Sequence, residues 1–277
     1  MEDASVAIAA VIFDLDDTLC RRTAPIDWDA VTALQVAALT PDCARLGFDH
    51  LDLTEVVRRF WVSFGAAYPN PDHYPDAPLE ERRWRDGPAA LRAHLAAYGV
   101  GCAEDAAVCL WEALWLVPPS AKNHHLFPDA VATVLALSAA GYRLAVATAR
   151  PQSTAITARE LREMGLPDVF AAIVAAGEAG YRKPHPRVFE SAARQLGVRP
   201  EQAVVIGDSY EQDIVPAAGL GMIPVLKLNE RIADPSWVLA RHQVPSLAAL
   251  LDLEIVRQGF DRDASLVGRS DPHDKPV

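Results

Sequence analysis

The chain has 277 residues, of which 51% are hydrophobic and 23% are charged, as is usual for a folded protein with a substantial core. Its formal net charge of −11 argues against nucleic acid or an anionic membrane as the main partner. A small phosphorylated ligand stays compatible, because a bound metal ion and one lysine can reverse the potential locally. We expect a cytoplasmic protein without signal peptide or membrane span, since only a short apolar run follows the acidic N-terminus.

That apolar run, residues 6–13, ends in three carboxylates within four residues, Asp14, Asp16 and Asp17. Its β-branched and small residues predict a strand that is buried on both faces. The acids then lie at the carboxyl end of the strand, where open α/β sheets bind ligands. Two carboxylates this close repel each other unless a cation or a proton separates them. A polar turn would use the same residue types, so the rest of the chain has to decide.

Helical periodicity replaces strand-like runs between residue 20 and about residue 123. The expected helices span residues 28–39, 53–67, 79–98 and 104–117. Five of the six tryptophans fall in this segment, which favours a packed helical core. Residues 68–78 are rich in proline and predict a loop between two helices. We expect His124 and His125 to be solvated linker residues.

Beyond Pro128 the pattern alternates between helix and strand. Strands are expected at residues 144–148, 172–175, 203–206 and 223–226, and helices at 129–140, 153–164, 186–196 and 211–218. Such alternation predicts an α/β fold with a parallel sheet covered on both faces. The prediction is a three-layer Rossmann-like core, residues 1–19 and 126–260, with an inserted all-helical domain, residues 20–125. We expect the polar residues 261–277 to form a disordered tail.

Three later segments place chemically useful side chains beside this sheet. One strand ends in Thr148, and another ends just before Asp208. Between them, Lys183 lies in a segment whose two neighbouring prolines restrict the backbone on its approach to a helix N-terminus. Asp213 follows Asp208 by five residues. Polar residues at strand ends lie where open α/β sheets bind ligands.

In this order, the segments resemble the signature motifs of the haloacid dehalogenase superfamily of phosphohydrolases. The motifs are Asp-x-Asp-x-Thr at 14–18, Thr148, Lys183 and Gly-Asp-Ser-x-x-x-Asp at 207–213. Each motif alone is weak, but four in order, each after its own strand, are specific. The resemblance covers residues 6–15 and 126–228. In the insertion it is limited to helical character, which is similar to the cap that the superfamily places after its first strand.

The resemblance implies a Mg²⁺-dependent phosphatase that hydrolyses a small-molecule phosphate monoester through an aspartyl-phosphate. It makes Asp14 the nucleophile and Asp16 the general acid and base, a role that needs a raised pKa, which nearby phosphate charge can supply. It assigns Mg²⁺ to the Asp14 carboxylate, the Asp16 backbone carbonyl and Asp208. It assigns the phosphoryl group to Thr148 and Lys183.

Three further residues have less specific expectations. Asp213 is expected to bind the metal or to support Lys183, with a helix N-terminal acid as an equal alternative. Ser209 is expected to cap a helix or to form a loop hydrogen bond. Arg21, where the chain enters the insertion, is a candidate contact for an anionic substrate, with an ordinary solvated arginine as the alternative.

The sequence departs from the family pattern after Thr148, where Ala149 and Arg150 follow and many relatives carry asparagine next. This change removes one polar group near the substrate and can place Arg150 there instead. His185 stands where aspartate is frequent after Lys-Pro. The motif residues themselves are unaffected.

Two alternative functions stay open at this point. A phosphomutase of the same superfamily uses the same motif residues, and a non-catalytic binding protein would not need them all. Retention of Asp16 argues against carbon–halogen cleavage, which needs no second acid there. The motifs explain only the phosphoryl group, so we expect the insertion, in the loop at residues 68–78 or near Arg21, to recognise the rest of the substrate. A monomer or a homodimer is expected.

Overall fold

The computed structural model describes residues 7–66, 87–231, 234 and 236–257. The strands of these residues are β1 (Ala10–Phe13), β2 (Cys20–Arg22), β3 (His124–Leu126), β4 (Arg143–Thr148), β5 (Phe170–Ala175), β6 (Ala203–Gly207), β7 (Ile223–Lys227) and β8 (His242–Val244). The helices are α1 (Trp28–Arg45), α2 (Leu53–Ala66), α3 (Gly87–Ala96), α4 (Glu104–Leu114), α5 (Ala130–Ala139), α6 (Thr154–Glu163), α7 (Ala176–Ala179), α8 (Arg187–Leu196) and α9 (Val215–Gly219).

Six strands form a parallel sheet in the order β5-β4-β1-β6-β7-β8. The first strand therefore lies in the middle, with β4 on one side and β6 on the other. The chain builds one side of the sheet from β4 and β5 and then returns to build the other from β6 onward. The carboxyl end of β1 is thus the point where the strand order reverses, which is where such sheets bind ligands.

Side chains of β1 alternate between two apolar layers. Val11 and Phe13 pack on the face that α5 and α6 cover, and Ala10 and Ile12 pack on the face that α8 covers. All four are fully buried, and burial of a side chain the size of Ile12 contributes about 1.5–3 kcal/mol. Helices on both faces of a parallel sheet confirm the predicted three-layer α/β fold.

The helices α1 to α4 pack around an apolar core of their own. Trp61, Trp111 and Trp115 contact one another there, with ring centroids 5.2–6.2 Å apart. The Trp61 indole N–H donates to Gln35, whose side-chain amide donates to a main-chain carbonyl of α4. These three tryptophans therefore serve packing, as predicted, whereas Trp28 is exposed and Trp84 lies outside the described residues.

The two connections between the sheet and this helical segment each contain a short strand, β2 and β3, that was not predicted from the sequence. β2 and β3 pair antiparallel, with Arg21 opposite His125 and Arg22 opposite His124. The prediction that His124 is a solvated linker residue is wrong, because it lies in β3 and is only partly exposed. His125 is exposed.

Some predicted boundaries also differ. α1 runs to Arg45 instead of residue 39, because Pro41 interrupts only one hydrogen bond and the helix continues through it. The helix expected at 211–218 is a wide π-helical turn, Tyr210–Ile214, followed by the short α9. The loop at 68–78, the start of the helix expected at 79–98 and the tail at 261–277 lie outside the described residues. None of the described helices combines the length and apolar character needed to cross a bilayer.

Candidate active site

The ends of three adjacent strands bring the predicted site residues together. Asp14 follows β1 directly, and its backbone N–H donates to the carbonyl of Ile206 in β6 at 2.9 Å. Thr148 is the last residue of β4, and Asp208 follows β6 directly. Because β1 lies between β4 and β6, these residues meet at one edge of the sheet, as the sequence predicted.

Lys183 reaches the same edge from the loop before α8 and is almost fully buried. Its ammonium group donates to the Asp14 carboxylate at 2.6 Å and to the Asp213 carboxylate at 2.7 Å. Burial opposes the charge, but the two carboxylates outweigh it and raise the pKa of Lys183 above its usual value. Lys183 is therefore a fixed cation beside Asp14, and Asp213 is the acid that supports it.

Asp14, Asp208 and Asp213 form a cluster in which one carboxylate oxygen of each lies within 4.8 Å of the others. Burial, together with Asp213 and Asp208, raises the pKa of Asp14 to about 8, although Lys183 counteracts the shift. Burial and Asp213 likewise raise the pKa of Asp208 to about 7. Crowded carboxylates of this kind fit a divalent cation such as Mg²⁺, which prefers oxygen ligands. The family resemblance implies that Asp16 binds the metal only through its backbone carbonyl, and this stays a prediction.

The loop that carries Asp208 is held by two local hydrogen bonds. The second oxygen of the Asp213 carboxylate accepts from the backbone N–H of Ser209 at 3.1 Å. The Ser209 hydroxyl accepts from the backbone N–H of Gln212 at 3.2 Å, so Ser209 caps the following turn. Asp213 therefore fixes both Lys183 and the loop after β6.

Gly207, the last residue of β6, leaves room for this arrangement. A Cβ atom built on Gly207 would lie 2.3 Å from the Asp213 carboxylate. We expect Gly207→Ala to displace Asp213 and Lys183 and to lower kcat by about 10²-fold, because misplacement of about 1 Å has effects of that size. Steady-state kinetics check this. Gly219→Ala is the matched control, because no atom lies within 4 Å of its added Cβ, and unaltered kcat in Gly207→Ala would contradict the argument.

Thr148 is fully buried at the end of β4. Its hydroxyl oxygen accepts from the backbone N–H of Arg150 at 3.3 Å. A hydroxyl that accepts one hydrogen bond still has its own hydrogen to donate. Thr148 is therefore suited to donate to an anionic oxygen at this edge of the sheet.

Asp16 differs from expectation in its electrostatics. Arg150 binds its carboxylate through two hydrogen bonds, from Nε at 2.9 Å and from a terminal nitrogen at 2.6 Å. Burial opposes the charged form of Asp16, but Arg150 outweighs burial and lowers the pKa of Asp16 to about 2. The role of general acid led us to expect a raised pKa. The pKa is lowered because Arg150 forms an ion pair with Asp16, while the possible placement of Arg150 near the substrate stays a prediction.

Arg150 also belongs to a group of buried polar residues that was not predicted from the sequence. Glu160 in α6 accepts hydrogen bonds from Arg150, from Lys122 and from the Gln152 amide. Burial and the nearby Arg150 lower the pKa of His124 to about 4, and its Nδ1 lies 3.3 Å from Arg150. The role of Glu160 could not be read from the sequence, because it lies in an ordinary amphipathic helix and no local pattern marks its contacts with Arg150, Gln152 and Lys122.

A second missed group holds the loop after β7 against the site. Lys227 is buried, donates to the backbone carbonyl of Asp17 at 3.2 Å, and lies 3.1 Å from the centroid of the Phe127 ring. Arg231 donates to the backbone carbonyl of Asp208 and lies 3.6 Å from its carboxylate. A lysine that ends an otherwise apolar strand was the only signal in the sequence for this group.

Arg21 lies beside the second group. Its guanidinium group is 3.9 Å from the exposed Glu230 carboxylate and 5.1 Å from the centroid of the Phe127 ring. The side chain is about half exposed (48%), so it is accessible from solvent. The proposed contact of Arg21 with an anionic substrate stays a prediction.

Comparison with protein-family models identifies the chain. Residues 8–221 match the model of haloacid dehalogenase-like hydrolases. The chain belongs to the haloacid dehalogenase-like hydrolase family. This confirms the resemblance recognised in the motifs, and this family member is accordingly a hydrolase.

Curated relatives of this hydrolase include phosphatases. It is 30% identical to the glyceraldehyde 3-phosphate phosphatase of Methanopyrus kandleri over 79% of this chain and 83% of the relative. It is 33% identical to the phosphoglycolate phosphatase of Rhodospirillum rubrum over 63% of this chain and 72% of the relative. A glyceraldehyde 3-phosphate phosphatase of Methanothermobacter thermautotrophicus is 35% identical over 38% of this chain, but the match spans only 45% of that relative.

Solved structures of the family share the fold of this hydrolase. A HAD phosphatase from Thermococcus onnurineus superimposes with a TM-score of 0.54 at 20% identity, covering 88% of this chain and 97% of that one. A 2-haloacid dehalogenase from Pseudomonas syringae pv. Tomato superimposes with a TM-score of 0.58 at 22% identity, covering 91% and 99%. At such identities the likeness supports the α/β architecture and not a particular reaction.

Proposed function

We propose that this hydrolase is a Mg²⁺-dependent phosphatase that cleaves a small-molecule phosphate monoester through a phosphorylated Asp14. The observation that carries the proposal is the buried group at the end of β1, where Lys183 bridges Asp14 and Asp213 while Asp208 lies in the same carboxylate cluster. A fixed ammonium beside a carboxylate nucleophile suits a dianionic phosphoryl group, because charge on the three phosphoryl oxygens has to be dispersed.

Each residue then has a defined role in the two steps. Asp14 attacks phosphorus and the ester oxygen leaves, taking a proton from Asp16. Water next attacks phosphorus, the bond between Asp14 and phosphorus breaks, and the proton from water passes to Asp16. Lys183 and Thr148 bind the phosphoryl oxygens throughout. Mg²⁺, held by Asp14 and Asp208, would neutralise negative charge on the phosphoryl group.

The pairing of Asp16 with Arg150 matters for both proton transfers. An ionised Asp16 is in the correct state to accept the proton from water. To donate a proton in the first step, Asp16 must first be protonated, and the negative charge of a bound phosphate monoester favours this by raising its pKa. In the proposal, substrate binding therefore prepares Asp16 for the first step.

The names of related phosphatases support a substrate class. Phosphatases with related sequences are named for glyceraldehyde 3-phosphate and for phosphoglycolate, both small phosphate monoesters. We propose the same class here, with the helical segment at 20–125 acting as a cap over the catalytic core at 1–19 and 126–260. The cap would exclude bulk water and contact the part of the substrate that the motif residues leave free.

A phosphate-release screen tests the proposed function. The purified protein is incubated with Mg²⁺ and with sugar phosphates, nucleotides, phosphoglycolate, glyceraldehyde 3-phosphate and flavin mononucleotide. We expect free phosphate from at least one small ester. Transfer of the phosphoryl group within the substrate without phosphate release would indicate a mutase, and no reaction with any ester would contradict a phosphatase.

A further inference from the structure

Glu160 is a buried carboxylate to which the proposed reaction gives no role. It lies in α6, is only 1% exposed, and accepts hydrogen bonds from Arg150, Lys122 and Gln152. A buried charge is costly unless it is paired and fully hydrogen-bonded, and here two cations and an amide meet that need. Glu160 is therefore held in one place by three donors, two from the loop after β4 and one from the turn before β3.

Arg150 connects this fixed carboxylate to Asp16. One terminal nitrogen of its guanidinium donates to Glu160, while Nε and the other terminal nitrogen donate to the two oxygens of Asp16. The guanidinium is planar and rigid, so fixing one end fixes the plane in which it binds the second carboxylate. The orientation of the Asp16 carboxylate thus depends on Glu160, and Arg150 lies between the two acids.

Glu160 also forms an ion pair with Lys122, which lies where the chain returns from the helical segment to the sheet. Lys122 ends the short turn Pro119–Lys122 that precedes β3, and its ammonium donates to Glu160. His124 in β3 also lies against Arg150. Glu160 therefore belongs to the core through α6 and is bound, through Lys122, to the turn that precedes β3.

We propose that Glu160 is a positioning residue for proton transfer, acting through Arg150 to hold the Asp16 carboxylate in one orientation. The inference rests on the proposed function, in which Asp16 moves protons. Proton transfer requires the carboxylate within hydrogen-bonding reach of the ester oxygen and of the attacking water, so loss of orientation lowers the rate more than binding.

The test compares Glu160→Gln with Glu163→Gln. Glu163 is a matched control, because it lies in the same helix and pairs with Arg159 near the surface. We expect Glu160→Gln to lower kcat by about tenfold with KM within about twofold, since a misplaced proton-transfer group affects turnover. The control should keep the kcat of the wild type. A Glu160→Gln variant with wild-type kcat would overturn the proposal.

A double-mutant cycle separates positioning from general structural damage. Wild type, Glu160→Gln, Asp16→Asn and the double variant are compared with one aryl phosphate, whose leaving group needs little protonation. If Glu160 acts through Asp16, the double variant should be no slower than Asp16→Asn alone. Multiplied losses would overturn the proposal. Should Glu160→Gln fail to fold, Arg150→Lys enters the same cycle with the same expectation. A wild type that hydrolyses no ester would instead refute the proposed phosphatase.

Discussion

Asp14→Asn is expected to lower kcat by about 10⁴-fold or more, the effect typical of removing a nucleophile. The amide has nearly the shape of the carboxylate but cannot attack phosphorus. The fold should be retained, because Lys183 keeps its hydrogen bond to Asp213 and the crowding of carboxylates is reduced. Phosphate release under saturating substrate measures the activity, and circular dichroism with thermal unfolding measures the fold.

Asp17→Asn is the matched control for this variant. Asp17 lies three residues further along, its side chain is exposed, and its positive φ of 59° is one that asparagine adopts readily. We expect the control to keep its kcat within a few-fold of the wild type, as is usual for exposed positions. Turnover of a folded Asp14→Asn protein at the rate of this control would refute the assignment of Asp14.

Removal of divalent metal is expected to abolish activity, and Mg²⁺ or Mn²⁺ should restore it. The buried Asp14 and the partly buried Asp208 have raised pKa values even though Lys183 and Arg231 lie beside them, so a divalent cation is needed to hold both ionised. Ca²⁺ should inhibit, because it prefers longer bonds and more ligands than Mg²⁺ and would engage the Asp14 oxygens that must attack. The measurement is phosphate release after dialysis against EDTA and after each metal is added back.

The variant Asp208→Asn tests whether the required metal binds at the carboxylate cluster. We expect this variant to need at least about tenfold more Mg²⁺ for half-maximal activity, since loss of one ligand or its partner typically lowers metal affinity by that amount. Asp252→Asn, at an exposed site, should behave like the wild type. Full activity of the wild type in EDTA would show that the carboxylate cluster serves another purpose.

The central part of the site was predictable because it depends on strand ends. Asp14, Thr148 and Asp208 each follow or end an apolar strand, and parallel pairing of β1 with β4 and β6 brings such positions to one edge. Lys183 was predictable only from the motif resemblance, since its approach depends on a loop and not on a strand. The contact between Lys183 and Asp213, one of the alternatives left open, required the structure to decide.

The remainder could not be predicted because it depends on tertiary contacts that no local sequence pattern marks. Glu160 looks like a surface residue of a helix until Arg150 and Lys122 are placed beside it. The lowered pKa of Asp16 follows from the same contact with Arg150 and not from the local motif. The strands β2, β3 and β8 are three residues each and lack the apolar alternation on which strand prediction relies.

Trapping the phosphorylated protein tests the central claim most directly. The hydrolase is mixed with a radiolabelled phosphate monoester that it turns over, quenched in acid within milliseconds and digested, and a parallel sample is reduced with borohydride. We predict acid-stable label on the peptide that contains Asp14, lost on reduction as that position becomes homoserine, and no label on the Asp14→Asn protein. Label on another residue, or turnover without any labelled protein, would contradict a phosphorylated Asp14.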